Sequence, residues 1–207
     1  MAKDAFYFLI PIIAAAVSAF ALGWAEAGFA VAGLGLFVAW FFRDPYRQIP
    51  ADPGLIVSPA DGRIVRIERE GENTRISIFL SIFNVHINRA PIAGRIEAVR
   101  YQKGRFLAAF NDLASAENEQ NTLTIQGEHI RVECSQIAGL VARRIVCRVR
   151  PGDRIERGDR FGLIRFGSRA DLVLPPSVEV NVRIGDRIRG GSSIIGRLHA
   201  SNRSPTP

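Results

Sequence analysis

The sequence predicts a mainly β domain, a flattened barrel-sandwich hybrid of paired hairpins, carried behind an apolar N-terminal helical hairpin. Three observations predict it. Apolar and polar residues alternate with period two through most of the chain beyond residue 55, in short runs punctuated by Gly, Pro and Asp. Two sequence strings each occur twice, with strand-like runs on either side. Residues 5–42 are almost wholly apolar, whereas residues 43–207 hold nearly all of the charge behind the net +7. A chain of 207 residues is long enough for one globular domain plus such an appendage.

The appendage consists of two apolar runs, residues 5–24 and 27–42, separated by Ala25 and Glu26. A bilayer crossing takes about 20 residues. The first run meets that length and the second is marginal, so a short hairpin and a helix pair lying partly in one leaflet are both open. Either places Lys3, Arg43 and Arg47 on one side, which the positive-inside tendency makes cytoplasmic. Trp24, Trp40, Phe41 and Phe42 sit where interfacial aromatics are expected. A cleavable signal peptide fits poorly, because Asp4 offsets Lys3 and the apolar stretch runs far past signal length. Residues 1–42 therefore read as a membrane-anchoring helical hairpin. The proline-rich residues 43–54 read as a linker, and residues 55–207 as the β domain.

Within that domain the alternation marks strands over residues 64–68, 75–80, 94–101, 121–126, 129–134, 144–149 and 161–166. Residues 107–120 break the rhythm as a short helix or a loop. The repeated strings are 58–67 (S-P-A-D-G-R-I-V-R-I) with 90–99 (A-P-I-A-G-R-I-E-A-V), and 151–164 with 184–195. The second pair shares G-D-R-I, the turn pattern of lipoyl- and biotinyl-type hammerheads. That analogy concerns the fold alone.

Composition narrows the function classes. The arginines are spread along strand-like segments without interleaved aromatics, which argues against nucleic acid and suits an anionic membrane surface. Two cysteines, Cys134 and Cys147, make neither a disulfide framework nor a metal site, and each alternates with apolar neighbours as a small core residue on adjacent strands would. No metal is expected. The alternative reading is a non-catalytic, membrane-tethered hammerhead adaptor or carrier. A carrier needs a lysine displayed on a hairpin turn, and Lys3 and Lys103 are the only lysines.

The chemistry-bearing stretch is R-F-G-S-R-A-D, residues 165–171. Gly167-Ser168 lies where the chain leaves the 161–166 run for a turn, and a serine hydroxyl beside a strained glycine carbonyl can attack it, converting amide to ester. β-Elimination then splits the chain, and the new N-terminal residue becomes dehydroalanine and hydrolyses to a pyruvoyl group. Upstream, Asp61 lies in S-P-A-D-G, a turn-forming string, and His86 in F-L-S-I-F-N-V-H-I-N-R-A-P, residues 79–91. His129 and His199 sit in a polar hairpin turn and near the C-terminus, and neither is a candidate.

In that order behind an apolar N-terminus, these three segments resemble phosphatidylserine decarboxylases, specifically the short bacterial and archaeal form that includes archaetidylserine decarboxylase-like proteins. The resemblance runs from about residue 40 to 200. It implies self-cleavage between Gly167 and Ser168, giving a heterodimer of two chains and leaving further homo-oligomerisation open. Ser168 would become the pyruvoyl cofactor, forming a Schiff base with the amine of phosphatidylserine and acting as electron sink for loss of carbon dioxide. Phosphatidylethanolamine would be released, at the cytoplasmic face of the cell membrane. Asp61 matches the family's charge-relay aspartate and His86 the histidine associated with decarboxylation. Arg89 falls where longer members have a second histidine, and an arginine cannot act as a base at neutral pH. Either His86 performs both jobs, or cleavage relies on strain and a water.

Overall fold

A computed structural model describes residues 3–104, 118–139, 145–164 and 168–199. The chain divides into two compact units, one up to Tyr46 and one from Arg47 onward. In the first, helices α1 (Phe6–Ala21) and α2 (Ala25–Phe41) form a hairpin through a turn closed by Gly23 at φ 78°. Gly35 lets Ile12 approach, and Phe20 meets Phe29 edge-on at 5.2 Å between ring centroids. At 16 and 17 residues the helices are about 24 and 26 Å long at ~1.5 Å per residue, short of the ~30 Å hydrocarbon core. No helix among the described residues is long and apolar enough to cross a membrane. The 5–24 run is interrupted as a helix by Leu22–Trp24, which shortens what the sequence offered as a full span.

The described residues of the second unit form fourteen strands. In chain order they are β1 (Leu55–Val57), β2 (Gly62–Glu70), β3 (Asn73–Leu80), β4 (Ile87–Arg89), β5 (Gly94–Gln102), β6 (Gln120–Gln126) and β7 (Arg131–Ala138). There follow β8 (Ile145–Cys147), β9 (Arg154–Ile155), β10 (Arg160–Ile164), β11 (Ser168–Leu174), β12 (Val178–Val180), β13 (Arg187–Ile188) and β14 (Ile194–Leu198). One sheet has the order β13-β2-β3-β11-β7-β6-β5-β9, and two smaller ones have the orders β1-β14-β12 and β4-β10-β8. The fold is mainly β, a barrel-sandwich hybrid of paired hairpins.

The sequence echoes are structural repeats. Gly62 and Gly94 open β2 and β5, and a Cβ at either would collide with a carbonyl oxygen, of Phe79 in the first case and Gln126 in the second. Both strands carry a register shift two residues further on, between Ile64 and Arg66 and between Ile96 and Ala98. The two G-D turns, with Gly152 at φ 98° and Gly185 at φ 97°, launch β9 against β5 and β13 against β2. Their backbone bonds correspond: Gly152 N donates to Ile96 O and Gly185 N to Ile64 O, each at 2.8 Å. Arg89 N donates to Pro59 O at 2.9 Å and Val57 N to Pro91 O at 3.0 Å, so the two halves grip each other reciprocally. Between the sheets lies a hydrophobic core, with Ile64, Ile78, Leu123, Phe161 and Leu172 fully enclosed.

Cys134 belongs to this core, while Cys147 packs against it from β8, in a different sheet rather than on an adjacent strand; both are free thiols. Strand β11 was not marked by the alternation, and most of residues 107–120 fall outside the described residues. The end of the segment expected as a linker is held in place, since the Arg157 guanidinium donates to the carbonyls of Pro50 and Asp52 and of Leu55 at the start of β1.

Candidate active site

Asp61, His86 and Ser168 are brought to one end of the neighbouring strands β2, β3 and β11. The register makes this explicit for Ser168 and Asp61, and His86 follows through the turn after β3. Ser168 lies opposite Leu80 at the end of β3, and Arg63, two residues after Asp61, lies opposite Phe79. The chain leaves β3 through Ser81–Asn84, where Asn84 Oδ1 accepts from Ser81 N and Ser81 Oγ at 2.8 Å each. This brace sets the direction of the following Val85 and His86.

His86 is buried, with Nδ1 2.9 Å from Asn84 O. A carbonyl only accepts, so Nδ1 carries the proton and Nε2 is the basic nitrogen. On its other side the His86 carbonyl accepts from Ile164 N at 3.2 Å, tying the histidine to the last residue of β10. Gly167, the other half of the expected cleavage site, lies outside the described residues. Ser168 begins β11 between Leu80 and Ala138, is 0% exposed, and its Oγ has no hydrogen-bond partner among the described residues. A hydroxyl enclosed that way costs about 1–3 kcal/mol.

The Asp61 carboxylate is held from two sides. Oδ2 accepts from Arg47 Nη2 at 2.7 Å, and Oδ1 accepts from Gly190 N at 2.8 Å. A side chain at position 190 would press on Ala60 and on Asp61 Oδ1, at 3.2–3.4 Å. Arg89 donates through Nη1 to Gly158 O at 2.9 Å, so this arginine braces a turn of the opposite repeat. Lys103 follows the end of β5, and His129 and His199 lie away from this end of the sheet.

Three features escaped the sequence reading. Arg47 sits in what reads as linker. A buried amide relay runs from Asn121 Nδ2 to Gln136 Oε1 at 3.1 Å and from Gln136 Nε2 to Asn88 Oδ1 at 2.9 Å; its one signal is that Asn88 alternates with His86. Arg169, directly after Ser168, is buried against Asp171, with Nη2 donating to Oδ2 at 3.2 Å and Nε in ionic contact with Oδ1 at 2.9 Å. Burial depresses the Arg169 guanidinium below its ordinary value, and Asp171 opposes that shift. Beside Asp61 opens a cleft of ≈ 990 Å³ whose walls include Arg63, Phe83, Asn84, Arg187 and Arg189.

Comparison with known proteins places the chain in a family. The family model described as phosphatidylserine decarboxylase matches residues 34–196. The chain belongs to the phosphatidylserine decarboxylase family. It is 52% identical over 164 residues to the phosphatidylserine decarboxylase proenzyme of Solibacter usitatus, covering 79% of this chain and 80% of that one. It is 50% identical over 208 residues to the proenzyme of Symbiobacterium thermophilum, covering 96% and 95%. It is 46% identical over 200 residues to that of Ruegeria pomeroyi, covering 91% of each chain. The matched range 34–196 includes all three strings that carry the candidate residues Asp61, His86 and Ser168.

Proposed function

We propose that the chain is a proenzyme that cleaves itself between Gly167 and Ser168 and then decarboxylates phosphatidylserine to phosphatidylethanolamine. The observation that carries this reading is the hydroxyl of Ser168, enclosed without a partner among the described residues, at the end of the sheet that also presents Asp61 and His86. A serine kept only for packing would be better as alanine at such a point. The residues fit a pyruvoyl group formed from Ser168: β11 holds the position by pairing on both sides, with β3 and β7.

In cleavage, Ser168 Oγ attacks the Gly167 carbonyl carbon, the C–N bond breaks, and the acyl group passes from nitrogen to oxygen. Loss of the Ser168 Cα proton then eliminates residues 1–167 as a free carboxylate and leaves dehydroalanine, whose imine tautomer water hydrolyses to the pyruvoyl ketone with release of ammonia. His86 Nε2 takes the hydroxyl proton, because the Asn84 carbonyl fixes the other nitrogen as a donor. Asp61 supplies negative charge at the same end of the sheet and favours the imidazolium that results. When in place, the pyruvoyl group supplies an electron sink for the carboxylate's departing bond. The proton taken in cleavage passes to the Ser168 nitrogen as the C–N bond breaks, and in each later turnover His86 delivers a proton from Nε2 to the substrate carbon. Arg89 takes no part in proton transfer, being engaged with Gly158 O.

Strands β11, β13 and β14 of the small chain pair with β3 and β7, with β2, and with β1 of the large chain. The products therefore stay together as a heterodimer. Helices α1 and α2 expose Phe6, Ile10, Ile13, Phe29 and Leu36 on several faces, the pattern of an anchor lying in the cytoplasmic leaflet of the cell membrane.

Intact-mass measurement tests the reading. Purified protein should give two chains broken before residue 168, the smaller lacking a free amine, and Ser168→Ala should give one inactive full-length chain. Wild-type protein that is intact and still active would refute the pyruvoyl mechanism.

A further inference from the structure

Charge is unbalanced in the cleft beside Asp61. Arg63 and Arg187 lie directly opposite each other in the antiparallel pair of β2 and β13, and Arg189 lines the same cleft. Like charges at directly opposed positions are destabilising unless something compensates them. None of the three guanidinium groups has a carboxylate partner among the described residues, and the cleft's carboxylate, Asp61, is already engaged by Arg47 and Gly190. The same cleft reaches Ser81 and Asn84, the residues that set His86, and its rim carries Phe83, 65% exposed.

The repeat provides an internal control. Arg95 and Arg154 occupy the corresponding opposed positions on β5 and β9, so an arginine pair by itself belongs to the fold. There, however, Arg95 Nε donates to Gly152 O, the position matching Arg189 is Glu156, and the position matching Asp61 is Ala93. The two halves differ just where one adjoins Ser168 and His86.

We infer that Arg63, Arg187 and Arg189 form a phosphodiester subsite, which takes the head-group phosphate of the lipid while its amine and carboxylate reach toward Ser168 and His86. This rests on the decarboxylase reading. Guanidinium groups suit the ligand because they present paired donors to phosphate oxygens. A phosphodiester bears one negative charge and continues into acyl chains, which the exposed Phe83 and neighbouring Ile82 match at the rim.

The test compares processed, two-chain wild type with Arg63→Gln/Arg187→Gln, its Lys/Lys counterpart and the control Arg95→Gln/Arg154→Gln. With a monomeric short-chain phosphatidylserine, the KM of the Gln/Gln variant should rise about 10- to 100-fold, the value expected for lost charged hydrogen bonds. The Lys/Lys variant should recover part of it, and the control should match wild type. Calorimetry with glycerophosphoserine should show the same loss of affinity, while inorganic phosphate binds more weakly. An unchanged KM on the monomeric substrate, with both Gln/Gln pairs losing turnover only on anionic vesicles, would overturn the subsite in favour of general attraction to the membrane. Inorganic phosphate that binds at the arginines without competing with the substrate would overturn it in favour of a free-phosphate site. If wild type neither cleaves nor decarboxylates, the enzymatic reading fails by itself, and the glycerophosphoserine titration still decides whether these arginines bind a phosphodiester.

Discussion

Replacing Asp61 by Asn probes the most constrained contact at the active end of the sheet. The carboxylate accepts from Arg47 Nη2 at 2.7 Å and from Gly190 N at 2.8 Å, and the two side chains are only 13% and 10% exposed. Asparagine keeps an acceptor for Gly190 but turns an NH2 donor toward the guanidinium, so the loss falls on the ion pair. Removing one partner of a well-buried pair costs about 3–5 kcal/mol. The retained Gly190 bond and the residual exposure lower this to about 2–4 kcal/mol, which in a domain of this size is a fall in Tm of about 4–16 °C. Thermal unfolding of Asp61→Asn, Arg47→Gln and the double variant, each combined with Ser168→Ala to hold the chain uncut, measures it. The double variant should be less damaged than the two single losses added together, because neither charge is then left alone. Without the Ser168→Ala background, Asp61→Asn should also cleave more slowly. Additive losses in the cycle, or an Asp61→Asn protein that melts with wild type and cleaves at its rate, would refute the reasoning.

His86→Ala separates two jobs: uncut protein accumulating over hours on a gel means that His86 starts cleavage, which is the expected result, whereas two chains without decarboxylation would confine it to protonating the substrate carbon. Deleting residues 1–42 should give a more soluble protein that still cleaves itself and loses more turnover on membrane-embedded lipid than on a short-chain analogue. Extending the deletion through Arg47 should reproduce the Arg47→Gln defect, as read by Tm. Burial pushes the Cys134 thiol above its ordinary range, with Asp171 and Cys147 adding to the shift. A folded thiol that ionises later than the unfolded one, near pH 8.5, favours the fold fully below that pH and progressively less above it. Labelling at pH 8 should therefore reach the half-buried Cys147 first and Cys134 only on unfolding, and Cys134→Ala should flatten the decline of stability above about pH 9.

Strands facing solvent on one side were legible because alternation is what one-sided burial leaves in a sequence, as β2 and β5 show. Strand β11 was not, because both of its faces are buried: Ala170, Leu172 and Leu174 face the core, and Arg169 and Asp171 are buried on the other face by pairing with each other. That internal neutralisation erases the polar signal of a surface and the apolar signal of a core. Ser168, His86 and Asp61 are legible as candidates because each stands in a contiguous string. Arg47, Gly190 and the Asn121–Gln136–Asn88 relay could not, since each acts through a residue distant in the chain. The helical hairpin was legible as apolar, but its helix lengths depended on a turn at Leu22–Trp24 that hydropathy does not register.

The repeat separates residues that serve the fold from residues that serve the site. Glycines 62 and 94, 152 and 185, and 158 and 191 correspond, and each pair makes the same close approach or positive-φ turn in both halves. Position 61 breaks the correspondence, with Asp61 against Ala93. So does position 190, where Gly190 gives its N–H to Asp61 while its counterpart Arg157 instead holds the carbonyls of Pro50, Asp52 and Leu55. Position 189 is the third, Arg189 against Glu156. Position 61 is far in sequence from the adjacent pair 189 and 190, yet Gly190 bonds Asp61 directly and Asp61 and Arg189 line one cleft. A duplicated scaffold has no need to diverge at matched positions for stability, since the other half shows that the same backbone bonds form with different side chains. Exchanging Asp61 and Gly190 for their counterparts, as Asp61→Ala/Gly190→Arg, therefore asks whether the fold tolerates a second copy of the inert half: far-UV circular dichroism should stay β-rich while self-cleavage is lost. Retained cleavage would place the selective pressure at these positions elsewhere than in the chemistry.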